Sequence, residues 1–310
     1  MHIRTFRPGD ELQQRLIYNT AARSLPGFKE ATLEEIARRT AARDFDPATR
    51  LYAEENGQIA GYCTWSSNGR VGFPWCLPGS ESAAEPLLKA SLQAMRDRKL
   101  PAAFTAYRTD WTAQHAFMEA NGFRKIRDMV NFEQSMIDLP TTINRRGASI
   151  TPFKAEDIPA IAAMGENIIR IPADKLVKHL TENPYFPESA VFVLRRPDNT
   201  PQAVGIFIED DRYADPLKVD VNAPCFRLGA FGAEGQNAKR INGMFSFLCA
   251  PDRDITMTGL DLLWHATGMA DPEGVSVLAA QVPSDAVKLY DFYRKYFRRQ
   301  GSFPIYQLNL

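Results

Sequence analysis

The chain has 310 residues, 37 basic and 37 acidic side chains, and 45% hydrophobic residues. That length predicts two domains, and the zero net charge argues against a general nucleic-acid binder, which carries a basic excess. No apolar run approaches the ~18 residues of a membrane span, and the charged opening "MHIRTFRPGDE" lacks a signal-peptide core, so a cytoplasmic protein without membrane contact is expected.

Taken in chain order, "IRTFRPGDE" from Ile3 reads as a strand, then Asp10 as a helix N-cap, then a helix. "NGQIAGY" (56–62) is a turn entering a strand, and "FPWCLP" (73–78) a strand stopped by proline. "EPLLKASLQAM" (85–95) has the spacing of an amphipathic helix, and "PAAFTAY" (101–107) of a buried strand. "AFMEANGF" (116–123) is a helix ending at Gly122-Phe123 before an alternating strand.

The same series returns. "ITPFKAEDI" from Ile150 repeats Ile, Phe, a basic residue and Asp, with Asp157 in the place of Asp10. It is followed in order by "NTPQAVGI" (199–206), "FSFLCAP" (245–251), "GLDLLWHATGM" (259–269), "VSVLAAQV" (275–282) and "YDFYRKYF" (290–297). Six correspondences in one order indicate an internal duplication. "DLPTTINRRGAS" (138–149) breaks the pattern, which predicts domains over 1–140 and 149–310. Each has strand, helices, three strands, helix, strand, helix, strand: a mixed α/β sheet with helices on both faces.

Four cysteines, Cys63, Cys76, Cys225 and Cys249, lie in or beside apolar runs and read as buried, reduced thiols. The histidines (His2, His115, His179, His265) are too scattered to suggest a metal site. "RLGAFGAEGQNAKRINGMF" (227–245) has no phosphate-loop spacing and reads as a hairpin connection or a mobile loop.

The element order, the strand-proline-loop-helix unit and "FMEANGF" together resemble the GCN5-related N-acetyltransferase (GNAT) superfamily, twice over, in a layout similar to mycothiol-synthase-like tandem proteins. The resemblance implies two GNAT-like domains, acetyl-CoA as donor, a small-molecule amine as acceptor, and a monomer or homodimer. It also implies a pair of parallel strands that splay apart to receive the pantetheine arm, with the pyrophosphate at the next helix N-terminus. In the second half this assigns Phe247, Leu248 and Cys249 to the arm, and Arg253, Met257, Thr258 and Gly259 to the phosphates, with Met257 where the family has glycine. In the first half it assigns Leu77, Ser82, Ala83 and Ala84, in a loop shorter than the family's and flanked by Glu81 and Glu85.

The family's proton donor, a tyrosine on the last helix, aligns with Met118 in the first half and Phe292 in the second, where Tyr290 and Tyr293 stand beside it. Either tyrosine can protonate a leaving thiolate, and an aromatic core stripe is the competing reading. Glu209, with Asp210 and Asp211, is the candidate base for the amine; a solvated acidic turn is the alternative. The second half is the expected active half; an active first half, which has Gly122-Phe123 and the small loop residues, is an alternative. A non-catalytic GNAT-fold binding protein is the alternative that the irregular phosphate loops leave open.

Overall fold

The structure, a computed structural model, describes residues 1–43, 45–139, 149–165, 168, 173–182, 188–210, 243–271 and 273–310. The 227–242 part of the glycine-rich stretch, Asp211 and Cys225 lie outside the described residues. Contacts divide the chain into two units. Unit 1 holds Met1–Arg127 and Phe303–Leu310; unit 2 holds the described residues from 128 to 302.

Unit 1 starts with β1 (His2–Thr5), α1 (Asp10–Ala21) and α2 (Leu33–Thr40), followed by β2 (Arg50–Glu55), β3 (Gln58–Thr64) and the short β4 (Trp75–Cys76). These strands pair antiparallel in the order β1-β2-β3-β4. Asn56 and Gly57 both take positive φ (51° and 77°), the two-residue turn expected of "NG" between antiparallel strands. Next come α3 (Ala84–Asp97), β5 (Ala102–Ala106) and α4 (Thr112–Ala120).

The helix α4 stops as its sequence predicts. Gly122 has φ +87°, its N–H donates to Glu119 O (3.0 Å), and Phe123 N–H donates to Met118 O (3.1 Å). A side chain would strain that left-handed residue, while the Phe123 ring drops into the core beside Met118.

Unit 2 begins within β6 (Arg124–Ser135) and continues through β7 (Ser149–Pro152), α5 (Ile158–Met164), α6 (Ala173–Thr181), β8 (Val191–Arg195), β9 (Pro201–Ile208) and β10 (Met244–Cys249). Then follow α7 (Ile255–Met269), β11 (Val277–Pro283), α8 (Val287–Tyr296) and β12 (Arg298–Asn309). Its strands run β6-β11-β10-β9-β8-β7, with β10 and β11 parallel and the other pairs antiparallel. Phe245, Phe247, Leu262, Phe292 and Tyr293 form the centre of its core. The fold class is the expected one: a mixed α/β sheet architecture with the same element order in each half.

The closing strands change places. From Met129 onward, β6 pairs with β11 in unit 2. The chain's last strand, β12, pairs from Ile305 onward with β5 in unit 1.

Of the repeated aspartates, Asp157 stands at the expected N-cap position of α5 and Asp10 one residue inside α1, and neither side chain caps its helix. Asp10 is the first residue of α1, behind Gly9, and accepts from Arg7 N–H (2.6 Å) and from two nitrogens of Arg4 (2.7 and 2.9 Å). Asp157 accepts from Lys154 N–H (2.9 Å) and from two nitrogens of Arg195 (both 2.8 Å). In each unit the carboxylate turns back from the helix because an arginine and an upstream amide offer it stronger, charge-assisted bonds.

Candidate functional site

The parallel strands β10 and β11 touch at one end only. Met244 registers with Ala279, whose N–H donates to Gly243 O at 3.0 Å. Beyond that point no ladder pair joins them, although every residue of both strands is described. β10 stays on β9 as far as Cys249↔Ala203, and β11 stays on β6 along its length. The sheet of unit 2 is therefore parted along this seam, leaving strand edge that an extended ligand can pair with.

A cavity of about 260 Å³ lies past the end of β10, against the start of α8, the helix that follows β11. Leu248, Cys249 and Pro251 line it from the end of β10, Ala286 and Lys288 from the start of α8, and Arg253 from the loop between β10 and α7. Lys288 is exposed and makes no hydrogen bond or ion pair among the described residues. Arg253 lies 3.6 Å from Asp252. An apolar channel bordered by two cations suits a narrow chain that ends in anionic groups. Lys288 and Ala286 escaped the sequence reading; their signal was their place in the first turn and at the N-cap of the helix after a parallel strand.

The helix N-terminus expected to take the pyrophosphate is occupied by the protein itself. Asp254 caps α7, its carboxylate accepting from Thr256 N–H (2.9 Å) and Met257 N–H (3.2 Å). These are amides that a bound anion would use. Thr258 and Gly259 are buried on the other side of the helix, where a Cβ on Gly259 would stand 2.6 Å from both the Phe247 and Phe292 rings. Gly259 thus serves helix–sheet packing. Met257 is half-buried beside the capped turn.

In unit 1 the loop is closed in a similar manner. Leu77 N–H donates to Ala60 O (2.8 Å), Ala83 N–H donates to Ser80 O (3.0 Å), and the Glu81 carboxylate accepts from Gly79 N–H (3.1 Å). Hydrogen bonds from its own amide and that of Gly79 hold Glu81 below its ordinary pKa. Ser82 is exposed, Ala83 is buried, and Ala84 opens α3. The parallel contact of this unit is one bridge, Arg70↔Phe104, with Val71 N–H donating to Phe104 O (2.9 Å). Past it, Phe73 and Trp75 meet Tyr107 and Trp111 ring to ring.

Tyr293 reaches the seam of unit 2. It is 2% exposed, and burial raises its pKa, against a smaller lowering by the Phe247 main chain beside its hydroxyl. Phe292 packs against Phe247, and Tyr290 stands edge-on to Phe132. Glu209 accepts from Asp271 N–H at 3.0 and 3.2 Å and so holds the loop entering β11. In the first half, Glu54 pairs with Arg4, Trp65 donates its indole N–H to Ala48 O (3.0 Å), and Ser66 donates to Asn68 Oδ1 (2.7 Å).

The described cysteines are free thiols. Burial pushes Cys249 up to about 11, and Cys63 and Cys76 up to about 12. A thiol with so high a pKa is no nucleophile at neutral pH, which disfavours an acyl-cysteine intermediate on Cys249. In the native chain, carbamidomethylation of Cys249 is expected to rise to half its maximal rate near pH 11, ahead of Cys63 and Cys76. Peptide mass spectrometry of timed samples reads this directly. Modification of Cys249 at pH 8 as fast as free cysteine would contradict it.

No protein-family model matches the chain, and no curated protein matches it. Solved structures do. A GCN5-related N-acetyltransferase from Sphaerobacter thermophilus superposes with TM-score 0.64 at 14% identity, over 99% of this chain and 95% of that one. One from Kribbella flavida gives 0.54 at 12% identity, over 99% and 71%. A GNAT-family acetyltransferase from Colwellia psychrerythraea gives 0.50 at 14% identity, over the full length of both. The fold is that of the GNAT acetyltransferases.

Proposed function

We propose that the chain is an acyl-CoA-dependent acyltransferase, with the donor bound in unit 2 and an acetyl group passed to an amine. The observation that carries this reading is the single pairing Met244↔Ala279, past which β10 and β11 leave room for a pantetheine arm. In this reading Leu248, Cys249 and Ala286 enclose the arm, and Arg253 and Lys288 face the phosphates. The amine nitrogen attacks the thioester carbon directly, the carbon–sulfur bond breaks, and the departing thiolate accepts a hydrogen bond from the still-protonated Tyr293 and takes its proton from water. Glu209, or water beside it, receives the proton the amine loses. Positioning the two reactants supplies most of the rate.

The test is release of free CoA thiol from acetyl-CoA by the full chain in the presence of a mixed panel of primary amines. Amine-dependent release, with acetylated product seen by mass spectrometry, is expected.

A second reading is favoured by one observation: Asp254 and Glu81 already occupy the loop amides. A binding protein that keeps the fold without catalysis would look the same there. Asp254→Ala separates the two. Under the catalytic reading it frees two amides and removes a negative charge, so CoA should bind about fivefold tighter, the equivalent of ~1 kcal/mol at a helix N-terminus. The lost cap should cost about 1 kcal/mol of stability. Absence of thiol release from both the native chain and this variant selects the binding protein.

A further inference from the structure

Unit 1 holds a cavity of about 180 Å³ between α1, α2 and the β3–β5 face. Its polar lining is strongly one-sided. Lys29, Arg39, Arg50 and Arg70 border it, against one carboxylate, Glu35. That carboxylate is engaged, accepting from Thr32 N–H (3.0 Å) in the capping box of α2. Arg39 is exposed and makes no hydrogen bond or ion pair among the described residues.

Rings form the rest of the wall. Trp75 meets Trp111 at 6.0 Å and Tyr18 at 5.3 Å, and Tyr107 stacks on Trp111 at 6.1 Å. Among them sits Thr105, 1% exposed, whose hydroxyl has no hydrogen-bond partner among the described residues. A buried polar group without a partner costs free energy, and a ligand that supplies the partner recovers it. For scale, an apolar cavity of about 150 Å³ holds one benzene.

We propose that this cavity is a binding site for a small aromatic carboxylate: the ring lies among Trp75, Tyr107 and Trp111, the carboxylate faces Arg39 and its neighbouring cations, and Thr105 bonds a ligand oxygen. The cation excess selects against a protonated amine, since a like charge brought into a partly desolvated site is disfavoured. Arg39 acts here as a selectivity residue. The reading does not depend on the acyl transfer proposed for unit 2.

The test is titration of the full chain with benzoate and with benzylamine, which share a ring and differ in charge, followed by calorimetry and by tryptophan fluorescence. Benzoate is expected to bind, and benzylamine to bind at least about tenfold more weakly. Arg39→Gln should weaken benzoate about fivefold or more with an unchanged melting temperature, because no internal bond is lost. Thr105→Val, a swap of similar volume, should also weaken benzoate. Equal or tighter binding of benzylamine, no benzoate binding up to about 10 mM, or unchanged benzoate affinity in Arg39→Gln would each overturn the proposal.

Discussion

Removing Phe303–Leu310 is expected to unfold unit 1, although Met1–Arg127 remains whole. These residues are the strand partner of β5: Ile305 registers with Ala106 and Asn309 with Ala102. Phe303, Ile305 and Tyr306 are buried, Tyr306 stacks on His115 at 5.2 Å, and its hydroxyl donates to Glu119 at 3.0 Å. Three large buried side chains at roughly 1.5–3 kcal/mol each approach the whole stability of a typical domain, about 5–15 kcal/mol. Hydrogen exchange on the shortened chain should show loss of protection at β5, and circular dichroism an early transition. A melting curve within a few degrees of the native one would show that the strand is dispensable. The converse matters for experiment: a fragment of 149–310 lacks β6, the partner of β11 along its length, and should not fold on its own.

Arg195→Met is expected to destabilise unit 2 by roughly 3–5 kcal/mol, the usual consequence of stranding one buried charge. The side chains of Arg195 and Asp157 are 3% and 2% exposed, and the arginine also donates to Thr151 Oγ1 (2.7 Å). Removing it leaves the Asp157 carboxylate with the Lys154 amide alone. The double variant Arg195→Met/Asp157→Leu should recover most of the loss, since an apolar pair of similar volume is often no worse than a buried ion pair. Urea unfolding of the single and double variants measures this. A loss below about 1 kcal/mol in Arg195→Met would mean that water reaches the pair.

Local signals were legible in the sequence wherever one short stretch determined the outcome. The Asn56-Gly57 turn and the Gly122 stop depend on backbone freedom at those residues, and both formed. The amphipathic spacing of 85–95 and 259–269 fell within α3 and α7. What escaped depended on distant partners. Alternation marked β6 and β12 as strands but carried no information on which sheet each would join. Asp10 and Asp157 looked like helix caps because the competing arginines, Arg4 and Arg195, sit on other elements. The place of Asp254 on the α7 amides needs the geometry. The cavity of unit 1 is assembled from residues between 14 and 111, and no window of sequence contains it.

The central claim is that the gap between β10 and β11 receives an extended thioester carrier. Its most direct test is calorimetric titration of CoA into the full chain and into Ala286→Trp, which fills the cavity from the N-cap of α8. One equivalent bound by the native chain, and none by a variant of unchanged fold, is the predicted result. No heat from the native chain, or the same affinity in both proteins, would contradict it.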